Sequence, residues 1–157
     1  AVPVLVAMVA AVLAPQVAPL DPLRQDLGLR LKPPGWAAEG GAIYWLGTDQ
    51  LGRDVLSRII FGARISLSVG LMATLLGGIV GTAVGMLAGY FRGRVDAVIT
   101  KLIDIQLSFP FILFAVSVIA VTGPSFRVLV MVLAIGSWVT YARVVRGETF
   151  RLRALID

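Results

Sequence analysis

The stretch that decides the fold runs from Ile65 to Phe91 and reads ISLSVGLMATLLGGIVGTAVGMLAGYF. It contains 27 consecutive uncharged residues, and Arg64 and Arg92 bound it. A helix rises about 1.5 Å per residue, so about 20 apolar residues already cross the roughly 30 Å hydrocarbon core of a bilayer. The stretch therefore predicts a transmembrane helix over residues 65–90. A buried helix of a soluble protein fits less well, because such helices are rarely free of charge over this length.

Glycines recur along this predicted helix at a spacing that marks one face. The first row, with a glycine at every fourth residue, consists of Gly77, Gly81, Gly85 and Gly89. A second row, one position round the helix, consists of Gly70, Thr74 and Gly78. Small residues in this pattern allow the backbone of a neighbouring helix to approach closely within a membrane. We therefore expect the six glycines of the two rows to be helix-packing residues.

The composition of the chain favours a membrane protein. Hydrophobic residues make up 58% of the 157 residues and charged residues 15%, and the mean hydropathy is +0.91, whereas soluble domains average about 45–50% and 25%. The formal charge of +5 lies largely at the ends of apolar stretches, which is typical of membrane flanks rather than of a nucleic-acid site. Cysteine and histidine are absent, which excludes disulfides, Cys/His zinc sites and histidine-based catalysis. We predict no enzyme activity, cofactor or metal for this chain.

The first 64 residues divide into an apolar segment and a polar one. Residues 1–14 are uniformly apolar and predict the end of a truncated first transmembrane helix; a signal peptide is the alternative. Residues 15–64 are rich in proline, glycine and charge, which predicts an extracytoplasmic loop. Its aromatic side chains are expected either at the lipid headgroups or in a local cluster; they are Trp36, Tyr44 and Trp45.

An amphipathic helix is predicted at residues 49–62, at the end of this loop. Thr48 is the expected N-cap, and Asp54 and Arg58 are spaced as an i, i+4 ion pair. Gly62 separates this segment from the glycine-rich helix, so we expect an elbow that lies along the membrane surface. A surface helix packed on a soluble partner is the alternative.

Two further membrane helices are predicted after a charged turn at residues 91–97, one at about 98–122 and one at about 125–145. Pro110 lies within the first and should kink it. Asp104 is an intramembrane polar residue near the start of that helix. We expect it to pair with Lys101 or to reach the headgroups; a part in a substrate path and a polar contact with a neighbouring helix stay open.

The distribution of basic residues predicts the orientation of the helices. Arg143, Arg146, Arg151 and Arg153 make the C-terminal segment the densest basic part of the chain, and the turn after Phe91 is similarly basic. The positive-inside rule therefore places these two segments in the cytoplasm and residues 15–64 outside.

One stretch of sequence closely resembles a known family. It begins at Trp45 and includes seven signature residues, namely Leu46, Gly47, Thr48, Asp49, Gly52, Arg53 and Asp54. These residues resemble the C-type permease subunit of binding-protein-dependent ABC importers of the dipeptide, oligopeptide and nickel class. The similarity continues through Val95-Asp96, Phe109-Pro110 and Tyr141 to Gly147, so it covers nearly the whole chain.

The resemblance implies an all-α, polytopic membrane protein of the ABC transmembrane type-1 fold. Residues 65–157 would form a partial domain, and the chain would be truncated at both ends, with four of six expected helices. The implied partners are a homologous permease, two cytoplasmic ATPase subunits that bind ATP and magnesium, and an extracytoplasmic solute-binding protein. The implied location is the inner or plasma membrane of a bacterium or archaeon.

Other classes of function stay open at this point. An ion-coupled secondary transporter or channel subunit would need intramembrane carboxylates or broken helices around a cavity, for which only Asp104 and Pro110 qualify. A structural membrane protein without cargo is a further alternative. The sequence identifies neither the cargo nor the substrate-contacting residues.

Overall fold

The computed structural model describes residues 8–9, 11–38 and 40–155. Most of the predicted helix end at residues 1–14 lies outside the described residues. The chain divides into two compact units, Ala1–Ser68 and Val69–Asp157. The described residues are mainly helical, in agreement with the predicted all-α class.

The first unit contains short elements and the start of a long helix. Helix α1 covers Ala14–Val17, and a 3₁₀ turn covers Leu27–Leu29. Strand β1 (Trp36–Ala37) pairs antiparallel with β2 (Ile43–Tyr44), so that Trp36 lies opposite Tyr44. This small hairpin was not expected from the sequence, because two-residue strands leave no alternating pattern.

Helix α2 covers Val55–Phe91 without a break. The separate elbow helix predicted at residues 49–62 is not present, because residues 49–54 form a loop and the helix passes through Gly62. Asp54 rather than Thr48 occupies the capping position: its Oδ2 accepts a hydrogen bond of 2.7 Å from the Ser57 N–H. An aspartate three residues before a free N–H can satisfy that donor, and Thr48 is too far upstream to do so.

The second unit contains the rest of α2 and three further helices. Helix α3 covers Gly93–Ser108, α4 covers Phe111–Thr122 and α5 covers Phe126–Arg153. The helix predicted at 98–122 is therefore two helices, and the chain bends by 80° between them. Pro110 lacks an N–H and forces the residue before it into an extended conformation, which Phe109 adopts with φ −96° and ψ 128°.

The charged turn predicted at residues 91–97 contracts to a single residue. Arg92 has φ +53°, a left-handed conformation that is uncommon for a side chain other than glycine, asparagine or aspartate. Gly93 already begins α3, and Asp96 lies in its first turn. The reversal of the chain is therefore much tighter than its charge pattern indicates.

Helix α5 is longer than the predicted 125–145 and is capped by Ser125, whose hydroxyl accepts from the Val128 N–H at 3.3 Å. The buried core of the second unit comes from α2, α3 and α5; it consists of Ala88, Ile99, Ile103, Val139 and Ala142. The two small residues of this core, Ala88 on α2 and Ala142 on α5, allow those two helices to approach each other closely.

Two helices in the described part of the chain, α2 and α5, are long and apolar enough to cross a membrane. The bent pair of α3 and α4 makes a third span if the two are counted together. The structure thus supports a polytopic helical membrane protein.

Candidate functional site

The first feature of the site is a glycine seam, defined as Gly77, Gly81, Gly85 and Gly89 on α2. All four are buried. A Cβ atom added to Gly85 would lie 2.5 Å from the carbonyl oxygen of Ala142, and one added to Gly89 would lie 2.5 Å from the Cβ of Thr149. Both distances are shorter than van der Waals contact, so the seam brings the backbones of α2 and α5 together.

The structure distinguishes the two glycine rows. Gly70 is exposed, and a Cβ there would meet nothing within 4 Å. At Gly78 a Cβ would make only an ordinary contact of 3.9 Å with the Tyr141 ring. Gly70 is therefore not a packing residue in this chain, and Gly78 lies at the margin of the seam.

A fifth helical glycine in close contact was missed by the sequence analysis. A Cβ on Gly136 in α5 would lie 2.5 Å from the Phe111 ring at the start of α4. Gly136 is isolated in an apolar stretch, and such a glycine is itself a signal for close approach. This contact holds the first residue after the break against α5.

A polar link joins the end of α3 to α5. The Trp138 Nε1–H donates to the side-chain oxygen of Gln106 at 2.7 Å, and the Gln106 amide donates to the carbonyl oxygen of Ile135. Gln106 lies three residues before Phe109, so the link fixes the last turn before the 80° bend. The sequence offered one signal for this link, the side-chain amide of Gln106 within an apolar stretch.

Asp104 lies two residues before Gln106 and takes no part in this link. Its side chain is exposed, and none of the ion pairs among the described residues involves it or Lys101. Its carbonyl oxygen accepts a 2.7 Å hydrogen bond from the Ser108 hydroxyl. The expected pairing with Lys101 is therefore not observed.

An ion pair joins the start of α3 to the C-terminal half of α5. Arg146 donates to both carboxylate oxygens of Asp96, with 2.8 Å between its terminal nitrogen and Oδ2. The guanidinium groups of Arg146 and Arg92 lie 5.2 and 5.5 Å from the centre of the Phe150 ring. The residues near 92–96 and those near 146–150 therefore lie at one end of this unit, as two segments on the same side of a membrane must.

The second feature is the signature loop, residues 46–54 in the first unit. Gly47 and Gly52 have φ angles of +77° and +72°. A Cβ at either would overlap the backbone, of Lys32 at Gly47 and of Asp26 at Gly52. These two signature glycines are therefore required by both conformation and space.

Asp49 is the centre of the signature loop. Its Oδ1 accepts from the N–H groups of Leu51 (2.8 Å) and Arg53 (3.0 Å), and its Oδ2 accepts from the side chains of Arg53 and Arg58. Partial burial would raise its pKa, but these hydrogen bonds and the charge of Arg53 lower the pKa to about 2. Arg58 thus pairs with Asp49, not with Asp54 as its spacing indicated.

The other signature residues complete the loop. The Thr48 hydroxyl accepts from the Lys32 N–H at 2.8 Å and donates to the Leu29 carbonyl. Asp54 is 2% exposed and caps α2, whereas Leu46 is largely exposed. The described residues contain no group of three or more acidic, cysteine or histidine side chains arranged to hold a metal ion.

Comparison with known proteins identifies close relatives. The chain is 40% identical over 144 residues to the dipeptide transport system permease protein DppC of Haemophilus influenzae, covering 92% of this chain and 49% of that protein. It is 44% identical over 137 residues to the di/tripeptide transport system permease protein DppC of Pseudomonas aeruginosa, covering 87% and 45%. It is 45% identical over 112 residues to the glutathione transport system permease protein GsiD of Pectobacterium atrosepticum, covering 71% and 37%.

The chain thus spans about half the length of the curated relatives it matches. No protein-family profile matches it. The relatives are named as transport system permeases, in agreement with the class that the signature loop indicated.

Proposed function

Because this chain belongs to the family of permease proteins of peptide-type ABC transport systems, we propose that it forms part of the translocation path of an ATP-driven importer. The proposed cargo is a small solute of the di- or oligopeptide class, delivered by a solute-binding protein. The carrying observation is the 40% identity to a dipeptide permease over 92% of the chain. The signature loop and the glycine seam both lie within the aligned length.

The structure supplies two features that such a path uses. The glycine seam packs α2 tightly on α5 and leaves other faces of both helices free for partner helices. The bend between α3 and α4 is a discontinuous helix, an element that lines substrate cavities in many transporters. Contacts at Gln106 and Gly136 hold the two sides of the bend against α5, so specific tertiary contacts stabilise the break.

The proposal includes partners that supply the remaining functions. A homologous permease would complete the path, two cytoplasmic ATPases would bind ATP and magnesium, and an extracytoplasmic protein would deliver the solute. The chain itself needs no cofactor in this scheme, and it binds no nucleic acid. It would lie in the inner membrane of a bacterium, with residues 15–64 on the outer side. The relatives are permeases of bacterial transport systems, which supports this assignment.

Reconstitution tests this function. The full-length protein, its partner permease, the ATPases and the binding protein are placed in proteoliposomes with labelled alanyl-alanine outside. We expect uptake that requires ATP and stops with vanadate. Uptake that persists with vanadate, or without the ATPase subunits, would instead favour an ion-coupled transporter.

A further inference from the structure

A polar cleft lies beside the hairpin of the first unit. We call it the hairpin cleft; its volume is about 520 Å³, and its polar and aromatic lining consists of Arg24, Asp26, Lys32, Trp36 and Tyr44. Pockets for small molecules commonly measure about 300–1,000 Å³ and combine apolar walls with a few polar groups. No signature residue and no residue of the membrane helices lines this cleft.

The aromatic wall of the cleft is held by backbone pairing. Trp36 and Tyr44 are directly opposite each other in the β1–β2 pair, and residues in such pairs share one face of the strands. Tyr44 is buried, and its carbonyl oxygen accepts from the Gly35 N–H at 2.9 Å. The wall is therefore formed before any ligand arrives.

The signature loop holds two charged residues of the cleft in place. Lys32 is bonded through its N–H to the Thr48 hydroxyl (2.8 Å) and through its carbonyl oxygen to the Thr48 N–H (3.1 Å). The Asp26 N–H donates to the carbonyl oxygen of Leu51 at 3.2 Å, and Gly52 lies against the Asp26 carbonyl. The loop thus positions one cation and one anion at the cleft.

The cationic side of the cleft has open hydrogen-bond donors. The Lys32 ammonium lies 4.5 Å from the centre of the Trp36 ring, a contact that leaves its N–H donors available. None of the ion pairs among the described residues involves Arg24, whose side chain is exposed. Two cations of this kind favour a carboxylate ligand.

The acidic side of the cleft has one open acceptor. Asp26 uses Oδ1 to cap the 3₁₀ turn at Gly28 (3.0 Å), and within the described residues its Oδ2 accepts no hydrogen bond. Asp54, whose Oδ1 also has no hydrogen-bond partner among the described residues, lines a separate cavity of about 10 Å³ and not the hairpin cleft. Unpaired carboxylate oxygens favour a cationic group nearby.

We propose that the hairpin cleft binds a short zwitterionic peptide with free amino and carboxyl termini. Arg24 and Lys32 bind the carboxylate, Asp26 accepts from the ammonium group, and the Trp36 ring packs against a side chain. The proposal rests on the proposed function, which places the cleft on the extracytoplasmic side of the membrane. It deepens that function, because it gives the permease a peptide subsite of its own, separate from the membrane helices.

Equilibrium binding to the full-length permease pair in nanodiscs tests the subsite without the ATPases. The probe is radiolabelled alanyl-alanine, competed with its C-terminal amide and with its N-acetyl derivative. Since each derivative loses a charge-assisted contact, we expect each to compete about tenfold less well. The Arg24→Gln/Lys32→Gln double variant should bind the probe at least about tenfold more weakly and no longer discriminate against the amide.

Two further variants make the test specific. Asp26→Asn keeps an oxygen for the Gly28 cap and should lose only the discrimination against the acetylated peptide. Arg30→Gln removes one positive charge from the same loop, does not line the cleft, and should bind like the unaltered protein.

Several results would overturn the subsite: no binding by the unaltered pair, an equal loss in Arg30→Gln, or unchanged discrimination in the Arg24/Lys32 double variant. Binding with the expected variant pattern but without ATP-driven uptake would retain the subsite and reject the proposed function. ATP-driven uptake together with unchanged binding in the double variant would retain the proposed function and reject the subsite.

Discussion

At the scale of single residues, glycine has two different roles in this chain. In the signature loop Gly47 and Gly52 are required by left-handed backbone angles as well as by contact with another backbone segment. In the seam Gly81 and Gly85 have ordinary helical angles, and only the approach of α5 excludes a side chain. Spacing alone could not separate these from Gly70, which follows a similar pattern and meets nothing.

The seam predicts a sharp difference between two glycine substitutions. Gly85→Leu should destabilise the full-length protein by about 1–3 kcal/mol or more, because the new side chain has to push Ala142 and α5 away. Gly70→Leu is the matched control, since it adds the same side chain to an exposed position of the same helix. Thermal unfolding in detergent measures both, and equal melting temperatures would show that the seam does not hold α2 to α5.

The lowered pKa of Asp49 predicts how the signature loop responds to acid. Its folded pKa of about 2 lies below the ordinary 3.8, so its ionised form stabilises the folded loop above about pH 4. That contribution is lost as the pH falls from about 4 through about 2. Protection of the loop amides from hydrogen exchange should therefore decrease over this range.

Asp49→Asn should have weaker protection at neutral pH, because it replaces charge-assisted hydrogen bonds with neutral ones. Its protection should also depend less on acid between pH 4 and 2. The exposed Glu148→Gln variant serves as the control for loss of an acidic charge. An identical acid response in Asp49→Asn would assign the effect to another group.

At the scale of elements, the position of the break between α3 and α4 could be predicted from the sequence, but the size of the bend could not. Pro110 predicted a kink, and the structure has a bend of 80° there. The size of the bend depends on groups that lie far apart in sequence: Gln106 bonds to Trp138, and the Phe111 ring fits against Gly136. A single sequence contains no pairing information of this kind, so the helix was predicted as one.

A double-mutant cycle tests the link between α3 and α5. Trp138→Phe should lower stability by about 1–3 kcal/mol, because it leaves the Gln106 side-chain oxygen without its donor in an apolar region. In Gln106→Leu/Trp138→Phe the polar group is absent as well, so the double variant should be less destabilised than the sum of the two single variants. Unfolding free energies measure the cycle, and strictly additive values would mean that the two residues are not coupled.

The start of α2 likewise depends on side-chain contacts that the sequence pattern alone does not show. The signature aspartate, Asp54, caps α2, whereas the amphipathic pattern placed a helix start at residue 49. The pattern failed because Asp49 turns its carboxylate back onto the loop and binds Arg53 and Arg58. Arg58 lies four residues after Asp54, the spacing of a helical ion pair, and nothing in that spacing showed that Asp49 would bind Arg58 instead.

At the scale of the whole molecule, the apolar stretches, the signature residues and the basic C-terminal segment were enough to predict a polytopic helical permease. The relatives agree with that class. Two features needed the structure: the residues against which the glycine seam packs, and the hairpin cleft, whose lining residues extend from Leu20 to Tyr44. Both depend on contacts between segments that carry no common sequence pattern.

The central claim is that the chain crosses the bilayer with residues 15–64 outside and the C-terminal basic segment inside. The chain contains no cysteine, so single cysteines at Trp45 and at Arg143, which is exposed, give clean positions for labelling with a membrane-impermeant maleimide. In intact cells, we expect the cysteine at position 45 to be labelled and the cysteine at position 143 to be labelled only after the membrane is opened. Labelling of both positions in intact cells, or of neither, would contradict the account.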